Sequence, residues 1–169
     1  MVHSIELTFD RDTEAAIRNI WEALAAAGIP SQAPASRPHV TLAVAEGIAA
    51  DVDPLLAPLS NRLPLGCLVG APVLFGRSSA VFARLVVPTG ELLALHARVH
   101  ELCAPHLVPG PMPNSLPGQW TAHVTIARRV GGAQLGRALR IAGRPAQIDG
   151  SFAGLRRWDG DKKVEHLIG

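Results

Sequence analysis

The stretch "RPHVTLAV" at residues 37–44 recurs in nearly the same form as "TAHVTIAR" at residues 121–128. Both copies keep histidine, valine and threonine in register, then an aliphatic residue and alanine, and each follows a proline-rich segment. A run with β-branched residues that follows a loop is typical of a strand. The repeat therefore predicts two related halves, each contributing one His-Val-Thr strand.

The composition of the chain is that of a globular protein. Its 169 residues are 48% hydrophobic and 18% charged, which is enough apolar material for one domain spanning residues 1–169. No apolar run reaches the roughly 18 residues of a membrane span, and the N-terminal residues do not follow the pattern of a signal peptide. We therefore expect a cytoplasmic protein that does not interact with a membrane.

Cysteines and charges narrow the chemistry. Cys67 and Cys103 are the only two cysteines, so a zinc site built from cysteine is excluded and buried free thiols are expected. The formal net charge is only +2, but basic residues outnumber acidic ones between Arg128 and Lys163. This distribution favours a phosphate-bearing ligand through long-range attraction. Solvated surface arginines without a ligand would give the same pattern.

Hydrophobic periodicity predicts alternating strands and helices. The predicted strands cover residues 4–10, 39–46, 63–76, 79–88, 120–129, 146–158 and 163–168. The first is predicted to be half-buried, because Ile5, Leu7 and Phe9 alternate with polar neighbours. The predicted helices cover residues 12–27, 51–61, 89–106 and 133–141, the first with Asp12 or Thr13 as its N-cap. Proline, glycine and serine predict irregular loops over residues 30–38 and 107–119.

The repeated motif brings two kinds of polar side chain together. Residues two apart on a strand point to the same side, so His39 shares a face with Thr41, and His123 with Thr125. If an approximate two-fold axis relates the halves, two imidazoles and two hydroxyls meet in one cleft. The hydroxyls can donate to phosphate oxygens, and one neutral and one protonated imidazole can act as base and acid. This set fits attack on a cyclic phosphodiester without a metal or other cofactor.

The two motifs resemble the paired His-x-Thr signature of the 2H phosphoesterase superfamily. More narrowly, they resemble its 2'-5' RNA ligase branch, also called the RNA 2',3'-cyclic phosphodiesterases, whose second motif typically ends in arginine as "TAHVTIAR" does. The resemblance covers essentially the whole chain. It implies a bilobal α+β fold, with two antiparallel sheets flanked by helices and related by pseudo-two-fold symmetry around a central cleft.

The same resemblance implies roles for residues and a reaction. His39 and His123 would be the acid–base pair, Thr41 and Thr125 would bind the phosphate, and Arg128 would add positive charge at the cleft. The implied substrate is RNA with a 2',3'-cyclic phosphate end or a small cyclic nucleotide, which is opened to a monoester. Ligation forming a 2'-5' bond is the reverse chemistry in part of the family. The sequence leaves open which histidine is the base, and a monomer is expected because one chain carries both half-sites.

A second class of function stays open at this point, a non-catalytic binder of RNA ends or nucleotides that keeps the cleft. The presence of both histidines and both threonines favours the enzyme. A binder could replace a histidine with any other hydrogen-bond donor.

The aromatic residues that could contact a base are few. Val44 stands where an aromatic residue often follows the first motif, and Ala122 where a proline often precedes the second histidine. The chain has no tyrosine and is 4% aromatic, whereas single-strand binders stack bases on aromatic rings. The stacking candidates are Phe75, Phe82 and Trp120, with Trp120 favoured because it adjoins the second motif.

His96 and His100 lie four residues apart on a predicted helix. This spacing places both imidazoles on one helical face, as metal ligands require. No glutamate follows His96 in the segment "HARVH", and no third ligand is evident. We therefore predict polar histidines on a helix face rather than a metal site.

Overall fold

The computed structural model describes residues 1–32 and 35–169, which contain nine strands and four α-helices. The strands are β1 (His3–Phe9), β2 (His39–Ala45), β3 (Gly47–Ile48), β4 (Leu65–Phe75), β5 (Ser79–Val86), β6 (Leu107–Val108), β7 (His123–Gly131), β8 (Ile148–Asp159) and β9 (Val164–Ile168). The helices are α1 (Arg11–Ala26), α2 (Val52–Leu56), α3 (Gly90–Cys103) and α4 (Leu135–Ala142). Within the loop predicted over residues 30–38, residues 33 and 34 lie outside the described residues.

All the predicted strands and helices are present, although their ends differ. The helix predicted over residues 51–61 is α2 followed by a 3₁₀ turn, since Pro58 has no N–H with which to continue the α-helical hydrogen bonds. The predicted N-cap, Asp12 or Thr13, is wrong: the cap is Asp10, whose carboxylate accepts the Thr13 backbone N–H at 2.9 Å. Strands β3 and β6, which pair with each other, are too short to show a periodicity.

The antiparallel sheet joins the two halves through one long strand. Its order is β2-β1-β8-β4-β5-β7, with β9 also paired to β8. The first part of β8 pairs with β4, and the second part lies between β1 and β9. The predicted halves are therefore β2-β1-β8-β9 and β8-β4-β5-β7, and each His-Val-Thr strand lies at the outer edge of its half.

The two edge strands approach each other across a cleft. β2 and β7 lie at opposite ends of the sheet order, yet residues of one come close to residues of the other. Helices α1 and α4 pack against each other and against β7, and α3 packs against β2. This arrangement confirms the predicted α+β fold with antiparallel strands flanked by helices. No helix of the described residues is long and apolar enough to cross a membrane.

Strand β1 is more buried than its alternating pattern predicts. All seven of its residues are buried, so the prediction of a half-buried strand is wrong. Its apolar face, which includes Ile5 and Leu7, belongs to the hydrophobic core. On its polar face, Glu6 is covered by Arg156 of β8 and His39 of β2. The polar face of β1 therefore forms the floor of the cleft rather than a solvent-exposed surface.

Both cysteines are buried and free, as predicted. Burial raises the pKa of Cys67 and the pKa of Cys103 to about 12. The two thiols are therefore protonated at neutral pH and pack as small apolar groups.

Arg84 on β5 is a fully buried cation that connects several segments of the second half. Its guanidinium donates to the carbonyl oxygens of Gly70, Ala142, Pro145 and Ala146. These carbonyls lie on β4, at the end of α4 and in the segment leading to β8. One side chain thus satisfies backbone acceptors that would otherwise be buried without a donor.

We expect Arg84→Met to destabilise the fold, because it keeps an unbranched side chain but removes these donors. The free energy of unfolding should fall by about 3 kcal/mol or more, since several buried carbonyls lose their partner. Urea denaturation followed by circular dichroism measures the change. The control Arg137→Ala, at an exposed position of α4, should change it by less than about 0.5 kcal/mol. A loss below about 1 kcal/mol in Arg84→Met would contradict this role for Arg84.

Candidate active site

Each motif strand contains a β-bulge directly after its threonine. In β2 the register against β1 skips Leu42, and in β7 the register against β5 skips Ile126. A bulge places two residues opposite one and shifts the alternation of the strand. The result is the same in both copies, because the aliphatic residue and the alanine that follows it are both buried.

The bulges decide which side chain follows threonine on the cleft face. With regular alternation, the alanine two positions after threonine would share that face. With the extra residue, Val44 in β2 and Arg128 in β7 occupy it instead, and both line the cleft beside Thr41 and Thr125. Arg128 therefore reaches the cleft because of the bulge.

Two tryptophans bind the motif strands at the bulges. The Trp120 indole N–H donates to the Thr41 carbonyl at 3.0 Å, and the Trp21 indole N–H donates to the Thr125 carbonyl at 3.3 Å. A bulge interrupts the hydrogen-bond ladder of its strand, so these donors supply hydrogen bonds where the ladder changes register. In both motif strands, the backbone carbonyl of the threonine accepts a hydrogen bond from one indole.

Both motif histidines are held in the same way. Nδ1 of His39 lies 2.8 Å from the Arg37 carbonyl, and Nδ1 of His123 lies 2.7 Å from the Thr121 carbonyl. A carbonyl oxygen only accepts, so each Nδ1 carries the hydrogen of this bond. Nε2 is then the ring nitrogen that gains or loses a proton. In both imidazoles Nδ1 is held by a backbone carbonyl, and Nε2 is the atom that can exchange a proton.

Two cavities share a wall formed by the motif strands. The shared wall consists of Thr41, Val44, His123, Thr125 and Arg128. The larger cavity, of about 850 Å³, also includes His39. The smaller one, of about 530 Å³, is bounded by residues 113–115 and 119–121. A group bound at the shared wall would therefore have space on both sides.

The larger cavity brings together five of the predicted site residues. His39, Thr41, His123, Thr125 and Arg128 all line it. Both histidines and both threonines are partly exposed, and Arg128 is exposed. The set that the sequence predicts from two distant motifs thus shares one cavity in the fold.

The three aromatic candidates have different surroundings. The Phe75 ring lies 4.7 Å from the His123 ring, and the Trp120 ring is parallel to His96 at 3.9 Å, and both line the smaller cavity. The prediction for Phe82 is wrong. Its side chain is 1% exposed and belongs to the core, so its ring has no face available to a base.

The electrostatic surroundings of His123 favour its neutral form. Burial lowers the pKa of this imidazole, and the charges of His39 and Arg128 lower it further. The hydrogen bond to the Thr121 carbonyl acts in the opposite direction. His123 is therefore available as a proton acceptor at neutral pH.

Comparison with known proteins identifies the family. The sequence profile of the 2'-5' RNA ligase superfamily matches residues 10–162, most of the chain. The chain belongs to the 2'-5' RNA ligase superfamily. This finding confirms the predicted relationship to the 2H phosphoesterases. No curated protein matches the chain significantly by sequence.

Solved structures share the 2'-5' RNA ligase fold with this chain. Escherichia coli LigT in its apo form gives a TM-score of 0.61 at 13% identity, over 99% of this chain and 94% of LigT. TT0787 of Thermus thermophilus gives 0.59 at 18% identity, over 100% and 96%. Usb1 of Kluyveromyces marxianus gives 0.55 at 10% identity, over 99% and 97%. At these identities the similarity shows the fold alone.

Several cleft residues of this superfamily member are not predicted from the sequence. Glu6 lies on the cleft floor, with Oε1 3.5 Å from Nε2 of His39. Arg156 contacts Glu6 Oε2 through Nε at 2.7 Å and Nη2 at 2.6 Å. Trp21 and Trp158 also line the larger cavity. The signal that the sequence offers is the charged Glu6 between the apolar Ile5 and Leu7 of a predicted strand. The sequence does not show that the face carrying Glu6 borders the cleft.

His96 and His100 of α3 bind backbone carbonyls near the first motif. They lie on one face of α3, and this face is buried, since the two side chains are 1% and 7% exposed. Nε2 of His96 lies 2.8 Å from the Ser115 carbonyl, and Nε2 of His100 lies 2.8 Å from the Leu42 carbonyl. Burial and the neighbouring His100 lower the pKa of His96 to about 4. Both rings therefore bind backbone carbonyls, one of them at the bulge of β2.

In the part of the chain that the structure describes, one group of side chains has metal-ligand spacing. It consists of His3, Asp159 and Asp161, and none of them lines either cavity. His3 Nε2 lies 3.0 Å from Asp161 Oδ2. This contact joins β1 to the turn between β8 and β9.

NMR titration of the histidine ring protons tests the surroundings of His123. We expect a midpoint below the usual value of about 6.5, and Arg128→Gln should raise it because a positive charge next to the ring is removed. The matched control is Arg129→Gln, since Arg129 is the next residue but lines neither cavity. An unchanged midpoint in Arg128→Gln, or an equal change in both variants, would contradict the assigned cause.

Proposed function

We propose that this protein is a metal-independent phosphodiesterase that opens 2',3'-cyclic phosphates on RNA ends or small nucleotides. The family match supports a phosphoesterase or ligase-like function. The observation that carries the finer proposal is the single cavity lined by two imidazoles and two threonine hydroxyls. Acid–base catalysis by two such groups does not require a metal.

The geometry supports a division of roles between the two histidines. His123, whose pKa is lowered by burial, takes a proton from water as that water attacks phosphorus. His39 donates a proton to the 2' or 3' oxygen as its bond to phosphorus breaks. The ring opens to a monoester and the two protons balance, because one histidine gains the proton that the other loses.

The threonines and the arginine act on the phosphate itself. The hydroxyls of Thr41 and Thr125 donate to non-bridging oxygens, which become more negative as water attacks. Arg128 makes no ion pair with any residue in the described part of the chain, so its charge is free to act on an anion in the cavity. If the 5'-hydroxyl of a second RNA took the place of water, its oxygen would bond to phosphorus as the bond to the 3' oxygen breaks, and the same exchange of protons would give a 2'-5' linkage.

Ligands of proteins with this fold support a nucleotide as the bound molecule. Escherichia coli LigT was solved with 3'-AMP and with phosphate, and Kluyveromyces marxianus Usb1 with uridine monophosphate. In this chain the smaller cavity, with Phe75 and Trp120 at its wall, is the proposed place for the nucleoside. Action as a monomer in the cytoplasm remains a prediction from the sequence.

Turnover of 2',3'-cyclic AMP in the presence of EDTA tests the proposed function. We expect activity that the chelator does not abolish. His39→Ala and His123→Ala should each lower kcat by about 100-fold to 10,000-fold, because each removes a proton-transfer group. His106→Ala is the control, since His106 lines neither cavity.

Two outcomes would contradict the proposal. One is loss of activity with EDTA, and the other is full activity of the double variant His39→Ala, His123→Ala. Absence of turnover on cyclic nucleotides and on RNA with a cyclic phosphate end, together with binding of such RNA, would favour the non-catalytic binder.

A further inference from the structure

Glu6 lies on the floor of the cleft, where it lines the larger cavity. Its position on β1 is opposite Thr41 of β2 on one side and opposite Arg156 of β8 on the other. Its side chain is 4% exposed and lines the larger cavity together with His39. A buried carboxylate therefore borders the cavity that contains both motif histidines.

The carboxylate of Glu6 is held by several donors. Oε2 accepts from Nε and Nη2 of Arg156, and Oε1 accepts from the Ser4 hydroxyl. Arg156 also contacts Glu165 at 2.7 Å. Buried ion pairs are often no more stabilising than apolar residues of the same size. Stability alone therefore does not explain a fixed charge at this place.

Both ring nitrogens of His39 face oxygen atoms that accept hydrogen bonds. Nδ1 carries a hydrogen because it faces the Arg37 carbonyl at 2.8 Å. Nε2 faces Oε1 of Glu6 at 3.5 Å. Since both neighbours accept hydrogen bonds, the arrangement is favourable when both nitrogens carry hydrogen, which is the charged form of histidine.

The second half lacks this carboxylate. Next to the bulge of β2, Glu6 is opposite Thr41. Next to the bulge of β7, Ala83 is opposite Thr125. The partner of Ala83 on the other side is Val73, where Glu6 has Arg156. Equivalent positions thus carry an ion pair beside the first motif and two apolar residues beside the second.

Other charged groups surround the cavity that contains His39. They line the same cavity as His39 and come from the neighbouring strands, from α1, from the segment before β2 and from the turn between β8 and β9; the groups are Arg156, Glu165, His123, Arg128, Arg37, Arg18 and Lys163. Among the described residues, Glu6 is the carboxylate within 4 Å of the ring. The basic groups disfavour a second positive charge, so the neighbouring carboxylate is the group that opposes them.

We propose that Glu6 is a positioning residue that keeps His39 in its proton-donating form and thereby sets the direction of acid–base catalysis. This inference rests on the proposed function. When substrate binds, the leaving oxygen takes the Nε2 hydrogen of His39 as its bond to phosphorus breaks, which leaves the imidazole neutral. Ala83 provides no such charge beside the second motif, so His123 stays neutral and takes the proton of water.

The variant Glu6→Gln tests the proposal, because glutamine keeps the shape and an acceptor for Arg156 but removes the charge. We expect kcat on 2',3'-cyclic AMP to fall at least about tenfold above pH 7, with little change in KM. The alkaline limb of the kcat–pH profile, which reports the proton donor, should move to lower pH, because the carboxylate that favours the charged donor has been removed.

Glu165→Gln is the matched control. Glu165 contacts Arg156, as Glu6 does, but the structure records no contact between Glu165 and His39. Its removal should move the alkaline limb much less than Glu6→Gln does, because its carboxylate makes no contact with the His39 ring. An unmoved limb in Glu6→Gln, or an equal shift in both variants, would overturn the proposal.

NMR of the histidine rings without substrate separates this proposal from the proposed function. At one fixed pH near neutrality, the ring nitrogen signals of His39 in Glu6→Gln should shift toward those of a neutral imidazole, whether or not the protein turns over cyclic phosphates. A shift without turnover in the unmodified protein would refute the phosphodiesterase and support the role of Glu6. Turnover by the unmodified protein, without a shift of the His39 signals in Glu6→Gln, would support the phosphodiesterase and refute the role of Glu6.

A second variant covers the case in which Glu6→Gln does not fold, as judged by circular dichroism. Glu6→Asp keeps the carboxylate but shortens the side chain, so the charge lies farther from Nε2. The His39 ring signals and the alkaline limb should then move in the same direction as in Glu6→Gln, by a smaller amount. No movement in a folded Glu6→Asp protein would overturn the proposal.

Discussion

One extra residue in each motif strand determines how the site is built. The bulges at Leu42 and Ile126 let two consecutive apolar side chains enter the interior and return the next side chain to the cleft face. Without the second bulge, the guanidinium of Arg128 would point toward the core, where burial of an unpaired charge costs several kcal/mol. The bulge therefore explains why the repeat continues beyond threonine into an aliphatic residue and alanine.

The scaffold is nearly symmetric, but its charges are not. Both histidines bind a carbonyl two residues earlier through Nδ1, and both threonine carbonyls accept an indole N–H. Acid–base chemistry needs two different protonation states, which symmetric surroundings would not provide. The differences come from Glu6 beside the first motif and Arg128 beside the second. Repetition supplies the two groups, and the flanking charges distinguish them.

The sequence predicts those parts of the site that depend on local pattern. Strand alternation places His39 with Thr41 and His123 with Thr125, and the repeat indicates that the pairs meet. Contacts between distant strands are not local: Glu6 and Arg156 become neighbours only because β8 pairs with β1. The same limit explains why the prediction that Phe82 contacts a base is wrong, since its ring lies on the core side of β5. It also explains His96 and His100, which are buried by a helix packing that periodicity does not specify.

Two buried arginines, Arg84 and Arg156, have different hydrogen-bond partners in the two halves. Arg84 donates only to backbone carbonyls and lines neither cavity, so it joins β4, α4 and the segment before β8 without affecting the charge of the cleft. Arg156 binds carboxylates, one of which contacts His39. A carbonyl needs a donor, whereas a buried carboxylate needs a positive charge. Because Arg156 supplies that charge, the carboxylate of Glu6 can be maintained beside the His39 imidazole.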